Sequence, residues 1–140
     1  MERYKFLEHT ADAKFQAFGR TMEEAFSNAA LAIVSLMWDW KKVDKRIKLE
    51  VRVVGNDLKQ LLCVFLEEII YLLETKSFLL SAVENLKIEK KGSRFVLKAF
   101  FRGDDSLGKY KIYGDVKAIT YNEMEIQQGG HFVVQVVVDI

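Results

Sequence analysis

Two acids close this 140-residue chain: the side chain of Asp139 and the α-carboxylate of Ile140. They follow a strand-like run, His131-Phe132-Val133-Val134-Gln135-Val136-Val137-Val138. Chain ends commonly fray into polar segments, whereas this one ends in apolar β-formers. The expectation is therefore that its last residues are packed and its terminal carboxylate is held in place. Two fixed carboxylates repel each other unless something positive lies between them, and a divalent cation meets that need. Asp12 supplies a third acid if the first and last strands are neighbours. An all-oxygen ligand set is hard and favours calcium or magnesium over zinc or copper.

Asp12 ends a polar segment, Glu8-His9-Thr10-Ala11-Asp12, that interrupts two strand-like pieces. Loops held between rigid strands are frequent carriers of binding groups. His9 can add a nitrogen ligand or hydrogen-bond the loop backbone. Asp12 can equally be read as the acceptor of an Asx-turn. Lys117, just before Ala118-Ile119-Thr120-Tyr121, reads as a solvated strand-edge lysine, since nothing local promotes it. Trp38-Asp39-Trp40 reads as cover for a core edge in preference to a partner-binding anchor.

Other chemistries fail on their requirements. Gly103-Asp104-Asp105-Ser106-Leu107-Gly108-Lys109-Tyr110 matches G-x-x-x-x-G-K, but Tyr110 stands where a hydroxyl must reach magnesium and no helix follows. The lone Cys63 lies in an apolar helical pattern and reads as buried and structural. With only His9 and His131, and no elbow-type glycine context around a serine, no nucleophile triad is convincing. The chain does not read as a self-sufficient enzyme.

The elements that must position these groups follow from periodicity. Phe6 to Gly19 reads as strand, loop, strand. Thr21-Met22-Glu23-Glu24 has capping-box spacing and opens a helix carrying Ala25, Phe26, Ala29, Ala30, Ile33, Val34 and Met37, ending near Trp38. Ile47 to Val54 alternates as a half-buried strand. Asp57 caps a second, broadly apolar helix that ends before Ser77. Val83–Ile88 with Phe95–Phe101, and Val116–Ile126 with Phe132–Asp139, read as hairpins turning at Lys91-Gly92 and Gly129-Gly130. Arg102 to Lys109 reads as a polar loop. The sum is a single α+β domain spanning residues 1–140, with two helices packed on a mainly antiparallel sheet or on two sheets.

Composition sets the remaining limits. Half the residues are hydrophobic, enough for one core at this length. A net charge of +1 implies no sequence-independent grip on nucleic acid. No apolar run is long enough to span a bilayer, and Met1-Glu2-Arg3-Tyr4-Lys5 lacks a signal-peptide core. A cytoplasmic protein with no membrane association is expected.

Phe6-Leu7-Glu8-His9-Thr10-Ala11-Asp12-Ala13, Phe18-Gly19 and Glu24-Ala25-Phe26 resemble the opening of an archease. Val116-Lys117-Ala118-Ile119-Thr120-Tyr121 and Val138-Asp139-Ile140 resemble its closing motifs, so the likeness spans the chain in order. The resemblance implies an archease-like fold and a protein cofactor, not an enzyme. It would be an accessory activator of the RtcB-type RNA ligase of tRNA splicing, promoting guanylylation and multiple turnover. Some members are linked to a tRNA methyltransferase as chaperone or specificity modulator. The resemblance leaves direct tRNA contact open. It implies a metal site at Asp12, Asp139 and the carboxylate of Ile140, with calcium ahead of magnesium or manganese. It further implies an activating role for Lys117, with Glu8, His9 and Thr10 in support. One departure is Asn122, where many relatives carry His after the Thr-Tyr pair.

Overall fold

The computed structural model describes residues 1–140. Strand β1 (Tyr4–Leu7) bends back into β2 (Ala13–Gly19), and α1 (Met22–Ser35) follows at once. The Thr21 hydroxyl caps α1, accepting the Glu24 N–H at 3.1 Å. The returning carboxylate of Glu24 accepts from the N–H of Arg20 at 2.9 Å, one residue earlier than a capping box requires. The helix ends at Ser35, before the expected Trp38. Trp38 is instead buried beyond the helix end, where its indole N–H donates to the Leu80 carbonyl at 2.9 Å.

A short 3-10 turn, Trp40–Lys42, leads to β3 (Ile47–Gly55). Asp57 caps α2 (Leu58–Lys76), accepting the Gln60 N–H at 2.8 Å. Ser77 then ends the helix in the left-handed region at φ 55°. The first hairpin is longer than its alternation suggests: β4 (Leu79–Lys91) and β5 (Arg94–Asp104) turn at Gly92. A second hairpin, β6 (Ala118–Gly129) and β7 (His131–Asp139), ends the chain.

The strands form two sheets, ordered β1-β2-β7-β6 and β3-β5-β4, with every pairing antiparallel. Of the two architectures left open by the sequence, the two-sheet one is correct. Each helix touches strands of both sheets, so the helices tie the layers together. Phe26 stacks on Phe65 at 6.1 Å between centroids, and Phe65 meets Phe101 edge-on at 5.7 Å. This triad joins α1, α2 and β5 and is fully buried.

The expected polar loop over Arg102–Lys109 begins late. β5 runs through Asp104, whose carboxylate is buried. It accepts from the Tyr110 hydroxyl at 2.7 Å, from Arg46 Nε at 3.0 Å and from the Asp105 N–H at 2.9 Å. The Tyr110 hydroxyl, followed by Arg46 and the Asp105 amide, holds the carboxyl down at about 2 from its ordinary 3.8, against the upward push of burial. Charge in a strand end thus reflects a satisfied interior acid, a state that alternation alone does not reveal.

Two outcomes follow. Phe65→Ala removes the middle ring of the triad and should cost about 3–5 kcal/mol by urea denaturation. Asp104 has a depressed pKa, so its stabilisation is present above the unfolded value of 3.8 and is lost as pH falls through about 2. The Tm of the wild-type chain should therefore drop over that window. Asp104→Asn should be less stable at neutral pH and should flatten the acid limb; an identical acid limb in both proteins would assign the loss to other groups.

Candidate functional site

The pairing of β2 with β7 decides where the acids lie. Its register runs from Gly19↔Phe132 to Ala13↔Val138. Asp12 and Asp139 are the residues immediately beyond that last pair, one on each chain, so they flank the same end of the ladder. The sequence argument required the first and last strands to be neighbours. The structure differs in one respect: β1 pairs only with β2, and it is β2 that adjoins β7. Asp12 immediately precedes β2, so Asp12 and Asp139 still lie at one end of the same strand pair.

Strand alternation then assigns faces. Phe15, Ala17, Val134, Val136 and Val138 are buried toward the helices. Lys14, Gln16 and Gln135 occupy the opposite face, with Gln16 Nε2 donating to Gln135 Oε1 at 3.0 Å. By the same period Asp139 continues that outer row, while Asp12 stands in the bend just before β2. Asp139 also pairs with Ala118 of β6, and the Lys117 N–H donates to the Asp139 carbonyl at 2.7 Å. Lys117 therefore stands at the same strand end, just before β6, with its side chain exposed.

Burial corrects one expectation. β7 is buried only as far as Val138; Asp139 and Ile140 are exposed, Ile140 at 45%. Packing thus stops one residue short of the acids. Neither Asp12 nor Asp139 has a cationic side chain within 4.0 Å. Their carboxylates therefore carry no ion pair within the chain. No group of three or more His, Cys, Asp and Glu side chains is arranged to hold a metal.

The loop before Asp12 is tightly wound. Ala11 has φ 70°, and the Asp12 N–H donates to the Thr10 carbonyl at 2.9 Å. Thr10 thus contributes its backbone, and Glu8 is exposed. His9 neither bonds the loop backbone nor joins the aspartates. Its Nε2 lies 2.9 Å from Glu123 Oε2, while Lys14 Nζ lies 3.1 Å from Glu123 Oε1. His9, and after it Lys14, lowers the pKa of the Glu123 carboxyl below its usual value.

Glu123 is the residue that the sequence reading missed. It sits where the β6–β7 register shifts between Thr120 and Glu125, with φ 54°. Its carbonyl accepts from Gln135 Nε2 at 2.8 Å. A bulge of this kind re-aims side chains, and here it turns a carboxylate toward the β1–β2 bend. The only sequence signal was a local one: polar Asn122 and Glu123 interrupting an apolar alternation.

The readings of Cys63 and of the Gly103–Tyr110 segment hold. Cys63 is buried, and burial pushes its thiol pKa up, so no reactive thiolate is available. Tyr121 is 55% exposed, but local desolvation of its phenol, followed by the Cys63 thiol, pushes its pKa up. The Gly103–Tyr110 segment contains only a three-residue 3-10 turn, Leu107–Lys109, and no helix to hold phosphates. No helix is long and apolar enough to cross a membrane.

Comparison with known proteins identifies the family and the fold. Residues 4–140 match the Archease protein family (MTH1598/TM1083). A protein archease of Pyrobaculum neutrophilum is 42% identical over 98% of this chain and 95% of its own length. That of Pyrococcus furiosus is 34% identical over the whole of both chains. The solution structure of protein 1598 from Methanobacterium thermoautotrophicum superposes with a TM-score of 0.86 at 30% identity, covering all of both chains. The crystal structure of an archease, described as a possible chaperone, from Thermotoga maritima shares the fold, with a TM-score of 0.58 at 19% identity over 97% of this chain and 96% of that one. With its sequence and its fold in agreement, the chain belongs to the archease family.

Proposed function

We propose that this chain is an accessory activator of an RtcB-type RNA ligase, promoting its guanylylation and repeated turnover, and that it works through a bound divalent cation. The observation carrying this reading is the β2–β7 register, which brings Asp12 and Asp139 to one strand end with no protein cation to neutralise them. Asp12, Asp139 and the carboxylate of Ile140 would hold the ion, with calcium the first candidate on the hardness of the donors. When bound, the ion cancels the mutual repulsion of the acids and supplies positive charge at an exposed surface.

The chain's own residues do the rest. The β2–β7 ladder holds the two aspartates in register. Lys14 follows Asp12 by two residues, but Glu123 engages its ammonium, which leaves Asp12 open. The Lys117 backbone is fixed to Asp139, so its exposed side chain is carried at the same strand end, where it could meet a partner. An exposed site of this kind suits contact with another macromolecule better than enclosure of a small substrate.

The test is a ligation time course at limiting ligase, in chelator and then with calcium restored, alongside calorimetric titration of calcium. Asp12→Asn and Asp139→Asn should each weaken calcium binding by roughly tenfold or more, about 1.4 kcal/mol, and abolish activation while leaving the thermal melt nearly unchanged. A short extension after Ile140 should do the same. Full activation by Asp12→Asn would refute the cation-dependent mechanism. Capture of a tRNA methyltransferase but not the ligase in a two-partner pull-down would favour a chaperone or specificity modulator of that enzyme.

A further inference from the structure

The other end of β1 opens on a cleft of quite different chemistry. It has a volume of about 570 Å³ and lies between the 3-10 turn after α1 and the Lys109–Tyr113 segment. Lys41, Lys42, Lys109 and Lys111 line it. A second cleft of about 340 Å³ shares Trp40 and Lys41 with the first and adds Arg3 and Lys45. Asp39 is the only acid lining either one. In a chain of net charge +1, six cations facing one acid is a strong local excess.

Most of this charge is uncommitted. Lys109 is paired with Asp44 at 2.5 Å, but Lys41, Lys42, Lys45 and Lys111 make no ion pair. The aromatic groups, by contrast, are fixed. Trp40 Nε1 donates to the Tyr4 hydroxyl at 3.1 Å, and the Arg3 guanidinium lies 5.3 Å from its ring centroid. Tyr113 is anchored twice, by its N–H to the Met37 carbonyl at 2.9 Å and by its hydroxyl to the Ser35 carbonyl at 2.8 Å. Even so, 54% of Tyr113 remains exposed. An anchored, exposed ring flanked by ammonium groups without ion pairs is the combination that binds single strands, because bases stack while phosphates meet charge. An acidic polypeptide would use the lysines but not the flat ring.

We propose that this cleft binds single-stranded nucleic acid, stacking a base on Tyr113 and engaging phosphates with Lys41, Lys42 and Lys111. The measurement requires neither a divalent cation nor a ligase, so its failure and that of the ligase reading are distinguishable.

The test is fluorescence anisotropy of a labelled, unstructured RNA of about 12 nucleotides, within the range one groove covers, titrated with the full chain across a salt series. Three phosphate contacts on a single strand predict a log–log salt slope of about −2. Lys42→Glu with Lys111→Glu should weaken binding ~10-fold or more and make the slope shallower. Tyr113→Ala should weaken it about 5-fold or more at unchanged slope, the loss of one stacked base. Tyr113→Phe keeps the ring and should bind like wild type, which separates stacking from any role of the hydroxyl in folding. Lys59→Glu, on α2 away from the cleft, serves as the charge control. The absence of saturable binding, an equal loss with Lys59→Glu, or competition by polyglutamate as effective as unlabelled RNA would overturn the proposal.

Discussion

The antiparallel contact between β2 and β7 is the constraint on which the candidate site depends. It joins segments from opposite ends of the chain, so its closure entropy must be repaid by what it buries. The return comes from Phe15 and Ala17 on β2 and Val134, Val136 and Val138 on β7, all at 0% exposure. Helix α1 packs over both strands. A slip of one residue would drive Lys14 and Gln16 into this layer, so the register is strongly specified. The aspartates take no part in that energetics. Their proximity is inherited from the core, and changing them should leave the fold intact.

The outer face of the same ladder shows how a polar surface can be organised without neutralising the acids. Lys14 follows Asp12 by two residues, and a direct pair between them would neutralise the acid. Glu123 removes that partner by engaging Lys14 and His9 together. It reaches them only because β6 bulges between Thr120 and Glu125. The bulge costs ladder hydrogen bonds, and the Gln135 side chain bond to the Glu123 carbonyl offsets part of that cost.

What the sequence disclosed follows from the range of the interactions involved. Thr21 and Asp57 were readable as helix caps because a cap bonds three residues away. The strands of both hairpins were readable from their alternation. The sequence places Asp104 in a polar loop, because its partners Arg46 and Tyr110 come from other segments. Glu123 was missed for the same reason, since His9 and Lys14 lie across the sheet. The meeting of Asp12 with Asp139 was anticipated only as a condition on strand order, and the intermediate position of β2 is a tertiary fact. Packing of the last residues was expected from their apolar type, yet the buried layer ends at Val138.

Net charge is the coarsest of these readings, because it averages over position. The chain's +1 conceals cations gathered around Trp40 and acids gathered at the β2–β7 end. A single segment connects the two. Tyr113 is bonded to the end of α1, and Gly114 lies so close to the Leu36 carbonyl that a Cβ there would collide with it. Val116 is buried, and the Lys117 N–H closes on Asp139. The strap from Tyr110 to Lys117 is thus pinned along its length, although it contains no helix or strand. Pinning fixes the separation between the basic cleft and the acidic strand end. A partner that engages both therefore meets two oppositely charged surfaces in a set geometry, and that geometry is something composition cannot encode.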